Sequence, residues 1–358
     1  MKNILIVKLS SIGDVIHALP VSYAIKETYP EAHITWVVEP PAYDIVAMDD
    51  CVDEIIVFKK KEFRSFGGFL REFGPLKAKV RSRRYDVVLD LQGLFKSAAI
   101  AWLADAPKGQ KYGMWNMREG SALISKPVIG PHAQAHVIER YLDTARAIGC
   151  AVREVRMPIT VPERAQRAAR ALLAQAGARA GTPYAALIVG ASWPTKCWPA
   201  AHFAALADWL YERGTIPVLV GSGAVEAQTA ARIERAMEGP PVNIVGRLSL
   251  EQLAFVFSRA ACVVGGDTGP THLASGLGAQ TIMLMGPTYP ARTGLYGQME
   301  HVIVADHPCR ECMKRACPKG IDCLAAIAPA QVEKHLERLL PRAWSGGERT
   351  GKQGPAGS

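Results

Sequence analysis

Residues 261–288, ACVVGGDTGPTHLASGLGAQTIMLMGPT, constrain what this chain can fold into more than any other stretch. Two apolar runs, Cys262-Val263-Val264 and 281–285, flank one short helical segment. A strand buried in an α/β sheet reads as such a continuous run, without polar alternation. The first run ends in Gly265-Gly266-Asp267 and turns through Thr268-Gly269-Pro270-Thr271-His272. Glycine and threonine there let backbone N–H groups and hydroxyls face a ligand, and the following helix adds unpaired N–H groups with partial positive charge. The turn suits a phosphate; it equally suits a plain helix N-cap, with Thr268 or Thr271 satisfying its own backbone.

The same alternation recurs in both halves. A strand over 3–7 runs into Lys8-Leu9-Ser10-Ser11-Ile12-Gly13-Asp14 and a helix that Pro20 is expected to kink or restart. Further strands are expected at 34–38, ending on Glu39, and at 85–89, ending on Asp90-Leu91-Gln92-Gly93. Prolines bracket 157–162, which reads as a linker. The second half restarts with a strand at 184–189, a helix from about residue 201 and a strand at 216–220 that closes on Gly221-Ser222-Gly223. Glu226 lies on the next helix, followed by a strand near 243–245 and a helix from Ser249. The pattern predicts an α/β protein of two doubly wound domains facing across a cleft, residues 1–160 and 161–328. An amphipathic helix at 329–344, with Val332, Leu336, Leu339 and Leu340 on one face, and a disordered tail at 345–358 complete the chain. With 358 residues, 49% of them hydrophobic, the chain can bury two cores.

Charge and composition narrow the chemistry. The net charge of +9 argues for an anionic partner. Residues 59–84 concentrate it, with ten Lys or Arg against two Glu, as a basic loop or broken helix around Gly67-Gly68 and Pro75. No stretch approaches the roughly 20 apolar residues of a membrane span, and the apolar start is too short for a signal peptide, so a cytoplasmic protein is expected. A nicotinamide enzyme needs several glycines in the first turn, and Leu9-Ser10-Ser11-Ile12-Gly13 supplies one, although Glu39 stands where a ribose-binding acid would lie. A nucleic-acid binder would also be basic, but no module signature or stacking aromatic pattern supports it. Cys309, Cys312, Cys317 and Cys323 fall within fifteen residues, with His307 just before them. That spacing allows a structural zinc or iron–sulfur site, or four reduced thiols. Cys51, Cys150, Cys197 and Cys262 are scattered and read as packing residues.

Five ordered motifs carry a resemblance. Ser10-Ser11-Ile12-Gly13-Asp14-Val15-Ile16-His17-Ala18-Leu19-Pro20, Asp90 to Ser97, Thr195-Lys196-Cys197-Trp198-Pro199, Gly266 to His272 and Gly286-Pro287-Thr288 together resemble the bacterial lipopolysaccharide heptosyltransferases, glycosyltransferase family 9. The opening motif, Val37-Val38-Glu39 and Gln92-Gly93 lean toward heptosyltransferase I, which adds the first heptose to Kdo-lipid A. The resemblance implies a GT-B fold of two Rossmann-like domains, an ADP-heptose donor bound by the second, an acceptor bound by the first, inversion at the anomeric carbon and no required metal. It implies that Asp14 is the base and that Lys196 with the N–H groups of Thr268 and Gly269 neutralises the departing ADP. Ser192, Glu226, Asp267 and Thr271 complete the implied donor set, with Glu226 on the ribose. Ser192 matches one of two hydroxyl residues the family often carries before the lysine, and Ala191 does not match the other. Ser11, Lys96, Arg118 and Arg140 are implied on the acceptor side, where arginine suits the carboxylates of Kdo and the phosphates of lipid A. The same charge is expected to hold the protein peripherally at the inner membrane, with no nucleic-acid partner.

Overall fold

A computed structural model describes residues 1–179 and 181–339; the expected end of the last helix and the tail lie outside the described residues. Twelve strands appear among the described residues: β1 (Asn3–Val7), β2 (His33–Val38), β3 (Glu54–Val57), β4 (Val87–Asp90), β5 (Lys111–Gly113), β6 (Lys126–Pro127), β7 (Tyr184–Ile188), β8 (Ile216–Val220), β9 (Val242–Asn243), β10 (Cys262–Gly266), β11 (Thr281–Met285) and β12 (Val302–Val304). They form two six-stranded parallel sheets, ordered β3-β2-β1-β4-β5-β6 and β12-β11-β10-β7-β8-β9. Read from its own first strand, each sheet has the same order, which reverses between β1 and β4 in one and between β7 and β10 in the other. Ligands of doubly wound sheets bind outside the carboxyl ends of the strands at such a reversal. The GT-B arrangement is therefore met by two copies of one topology.

The helices are α1 (Ile12–Thr28), α2 (Tyr43–Ala47), α3 (Phe66–Val80), α4 (Phe95–Leu103), α5 (Val137–Ala147), α6 (Glu163–Gln175), α7 (Ala200–Glu212), α8 (Ala224–Ala236), α9 (Leu250–Arg259), α10 (Gly269–Gly276), α11 (Pro290–Thr293) and α12 (Pro329–Leu339). One apolar core runs across the junction of the halves, from Ile16 and Leu19 of α1 to Leu273 of α10 and Phe257 of α9. The segment before α6 is tied to the first half, where Thr160 N–H donates to the Met48 carbonyl at 2.8 Å. α12 buries Val332 and Leu336 against α7.

Two helical expectations need correction. Pro20 does not begin a new segment, because α1 continues through it over its 17 residues. Ten of its residues, Pro20 among them, are buried, and packing on several sides outweighs the hydrogen bond that proline cannot make. Residues 66–80 likewise form one helix through Pro75, started by Ser65, whose hydroxyl accepts from Gly68 N–H at 3.1 Å. Among the described residues no helix is long and apolar enough to cross a membrane.

Candidate active site

The first turn is held from below by the motif that follows β4. Gln92 Oε1 accepts from the N–H groups of Leu9 and Ser10 at 3.1 and 3.0 Å. Asp90 is fully buried, and its carboxylate accepts from Gln92 N–H, Gly93 N–H and the Ser97 hydroxyl at 3.1, 2.9 and 3.1 Å. Gly93 sits at φ 65°, where a Cβ would also lie 3.0 Å from the Asn116 carbonyl, so glycine is required there. This motif is scaffolding that fixes where α1 begins. Asp14, in the first turn of α1, accepts from Ser11 N–H at 3.2 Å and from the Ser11 hydroxyl at 3.1 Å, yet still lines the cleft. Lys8 lies beneath, 2% exposed, and donates to the Tyr141 hydroxyl at 2.7 Å; burial pushes its ammonium down to about 8.

The turn after β10 is built around Asp267, which is 5% exposed. Its Oδ2 accepts from Lys196 Nζ at 2.8 Å, the Thr288 hydroxyl at 2.6 Å and the Thr293 hydroxyl at 3.3 Å, while Oδ1 faces His272 Nε2 at 3.0 Å. Burial alone would raise this carboxyl, but His272 and Lys196 outweigh it and hold the group far below the usual carboxylate range. Lys196 reaches Asp267 because its backbone presses on the strand end: a Cβ on Gly266 would stand 2.2 Å from the Lys196 carbonyl oxygen. Its ammonium also lies 4.6 Å from the centre of the Trp193 ring. His17, one turn beyond Asp14, is buried with its ring 4.2 Å from that of His272. Its Nε2 has no partner among the described residues, and burial drives its pKa well below the usual imidazole value.

The two halves meet where α1 and α10 begin. Gly13 and Gly269 face each other so closely that a Cβ on Gly269 would lie 3.0 Å from Ile12 Cγ2 and 3.1 Å from Gly13 N. Two cavities flank this contact. The smaller, about 240 Å³, brings Ser11, Asp14, Ser192, Lys196, Asp267 and Thr268 together. The larger, about 590 Å³, is lined by Glu226, Ser192, Gly190, Gly221, Leu250 and Gly269, among others. Glu226 is nested in glycine, since a Cβ on Gly190, Gly221 or Gly223 would come within 2.3, 2.8 or 2.7 Å of its side chain. It therefore sits at the carboxyl ends of β7 and β8.

Not every expected residue reaches this place. Thr271 is fully buried, and its hydroxyl donates to the Gly266 carbonyl at 2.6 Å, so it shapes the turn instead of facing either cavity. Lys96 is neutralised by Glu39 and touches the Ser10 hydroxyl. Arg118 is exposed, and Arg140 packs over Trp115 at 5.5 Å; neither lines these two cavities. Sequence reasoning missed His17, Trp193, Thr288, Arg292, Thr293 and Met313, all of which line the smaller cavity. Thr288 closed a motif already singled out, and that was its signal; Arg292 and Met313 had none. The loop carrying Thr288 and Thr293 is also tied to the first half, through Gly294 O to His136 Nε2 at 3.0 Å and the Tyr296 hydroxyl donating to Glu139 at 2.5 Å.

Of the two readings of the cysteine group, a structural metal site is not supported by the structure. Among the described residues no group of three or more His, Cys, Asp or Glu comes together to hold an ion. Cys323 is buried beneath Gly286, Cys312 is exposed, and Cys309 Sγ faces His307 Nδ1 at 3.1 Å. Cys317 accepts from the N–H groups of Ile321 and Lys319, which lowers its pKa from the ordinary thiol value. The loop instead braces the lysine motif, with the Thr195 hydroxyl donating to the Lys314 and Arg315 carbonyls at 3.0 and 3.2 Å and Arg315 donating to the Ser192 carbonyl at 3.2 Å.

Known proteins match this arrangement along most of the chain. The model of glycosyltransferase family 9 (heptosyltransferase) matches residues 74–321. Lipopolysaccharide heptosyltransferase 1 of Pseudomonas aeruginosa is 32% identical, over 94% of this chain and 98% of its own. Its Escherichia coli K12 namesake is 30% identical, over 84% of this chain and 92% of its own. Among solved structures, the E. coli heptosyltransferase WaaC with ADP superposes with a TM-score of 0.74 at 26% identity, covering 94% of this chain and 99% of that one. The same enzyme with ADP-2-deoxy-2-fluoro heptose gives 0.72 at 26% identity, with the same coverage. The chain belongs to glycosyltransferase family 9, the heptosyltransferases.

Proposed function

We propose that this chain transfers L-glycero-D-manno-heptose from ADP-heptose to a Kdo residue of the lipid A precursor, with inversion and without a catalytic metal. The observation that carries the reading is one small cavity holding a carboxylate from the first half, Asp14, and a half-buried cation from the second, Lys196. Residues 1–160 would hold the acceptor and 161–328 the nucleotide sugar. Inverting transfer is a single displacement: the acceptor hydroxyl attacks the anomeric carbon from one face while the bond to the diphosphate breaks on the other. Asp14 takes the hydroxyl proton. Charge gathering on the departing ADP is met by Lys196, Arg292 and the N–H groups that open α10, cations that can do the work of a metal. Asp267 and His272 orient Lys196 and face the sugar, and Glu226 in its glycine nest suits the ribose hydroxyls. Ser192 and Thr268 add hydroxyls to the donor side; Ser11 would meet the acceptor beside Asp14, and Lys96, Arg118 and Arg140 its anionic groups at longer range.

The reading also places the protein peripherally on the cytoplasmic face of the inner membrane, held by the basic segment. The relatives named heptosyltransferase 1 support the Kdo acceptor over a later core sugar. The test is transfer from ADP-heptose to Kdo-lipid A and to heptosyl-Kdo-lipid A in parallel. Product on the first acceptor is expected; product on the second alone would overturn the acceptor assignment.

A further inference from the structure

Helix α3 keeps apolar side chains in water that its own packing does not need. Its inner edge is already anchored: Leu76 and Val80 are buried, and Phe69 stacks on Phe73 at 5.0 Å and meets Phe63 at 5.9 Å. Phe66 and Leu70, one turn apart, are nonetheless 79% and 62% exposed. Phe95, 69% exposed, opens the neighbouring helix α4, which packs on α3. Around Phe66 the surface is open, since a Cβ on Gly67 would meet nothing within 4 Å. Just before it, Lys60, Lys61 and Arg64 are exposed and make no salt bridge among the described residues; Lys77 and Lys79 lie in the last turn. Both helices start from the carboxyl-end edge of the first sheet, the edge that carries Asp14.

We propose that this face of α3 and α4 docks on an anionic phospholipid bilayer, with Phe66 and Leu70 set among the acyl chains and Lys60, Lys61 and Arg64 on the headgroups. The inference deepens the peripheral-membrane reading above and gives it residues. Large apolar side chains flanked by lysine and arginine fit an interfacial helix. The ten-to-two excess of cations over residues 59–84 fits an anionic surface and would repel a second copy of this face. Docked this way, the sheet edge that carries Asp14 lies on the membrane side, toward a lipid-anchored acceptor.

The test is co-sedimentation of the full chain with vesicles of phosphatidylcholine, alone and in equal mixture with phosphatidylglycerol. The protein should bind the mixed vesicles. Phe66→Ser with Leu70→Ser should lower partitioning by roughly tenfold or more at low and high salt. Lys60→Gln with Lys61→Gln should lower it by about fivefold per charge, only on the anionic vesicles, with the difference fading as salt rises. Because the vesicles carry neither sugar donor nor acceptor, the result is independent of the transfer reaction. Unchanged partitioning of the serine variant overturns the proposal, as does a protein that dimerises through Phe66 and Leu70 and ignores vesicles.

Discussion

Replacing Asp267 by Asn tests the hub of the site while changing almost no volume. Four donors converge on this carboxylate, and its ion pair with Lys196 is desolvated, the two side chains being 5% and 15% exposed. Removing one charge of a buried pair costs about 3–5 kcal/mol, because the other is left uncompensated. Lys196 keeps some solvent and the Trp193 face, so the low end applies, about 3 kcal/mol. The sign with pH follows from the depressed pKa of Asp267. Its contribution is fully present above the unfolded-state value, near 4, and is lost only as pH falls through the much lower folded value. The difference in unfolding free energy between wild type and Asp267→Asn should therefore not diminish from pH 8 to about 5, and should shrink only in stronger acid. Urea denaturation followed by tryptophan fluorescence reads it directly. A difference below about 1 kcal/mol at pH 7, or one that collapses between pH 7 and 5, would refute the reasoning, because the charge would then not be bearing the pair.

Asp14→Asn should reduce turnover by roughly 10²- to 10⁴-fold with donor affinity nearly unchanged, whereas Lys196→Ala should weaken ADP-heptose binding and slow transfer together; steady-state kinetics with calorimetry separates the two. Gly266→Ala must move the Lys196 backbone, so it should cost about 1–3 kcal/mol of stability and lower ADP affinity at least about tenfold by titration calorimetry. Lys8, buried with its ammonium down to about 8, is protonated in both states below that pH, and between about 8 and 10.4 only the unfolded chain keeps the proton. Stability therefore rises with pH across that window, by roughly 3 kcal/mol in all, and Lys8→Met should abolish the rise in pH-dependent urea titrations.

What could be read in the sequence was the centre of each sheet. β1, β2, β10 and β11 are buried almost end to end, so apolar side chains dominate them as near-continuous runs. β3, β5, β6 and β12 escaped notice because they are two to four residues long and lie toward the sheet edges, β6 exposed and the others only partly buried. Both prolines were misjudged for a related reason: local propensity predicts a break, and the packing that overrides it comes from residues far away in the chain. The site divides the same way. Asp14, Lys196, Asp267 and Glu226 lie in turns or in the first turns of helices that follow strands, and the motifs that carry the family resemblance single them out. Thr293 and Met313 enter the cavity from later loops, and only the fold brings them there.

The contact of Gly13 with Gly269 sets two helix N-termini almost head to head, each equivalent to about half a positive charge. Because neither glycine carries a side chain, the separation of the two sheets is set here by backbone alone. A methyl group added at Gly269 would be a wedge of a few tenths of an ångström driven into the seam, and it would be felt by both halves at once.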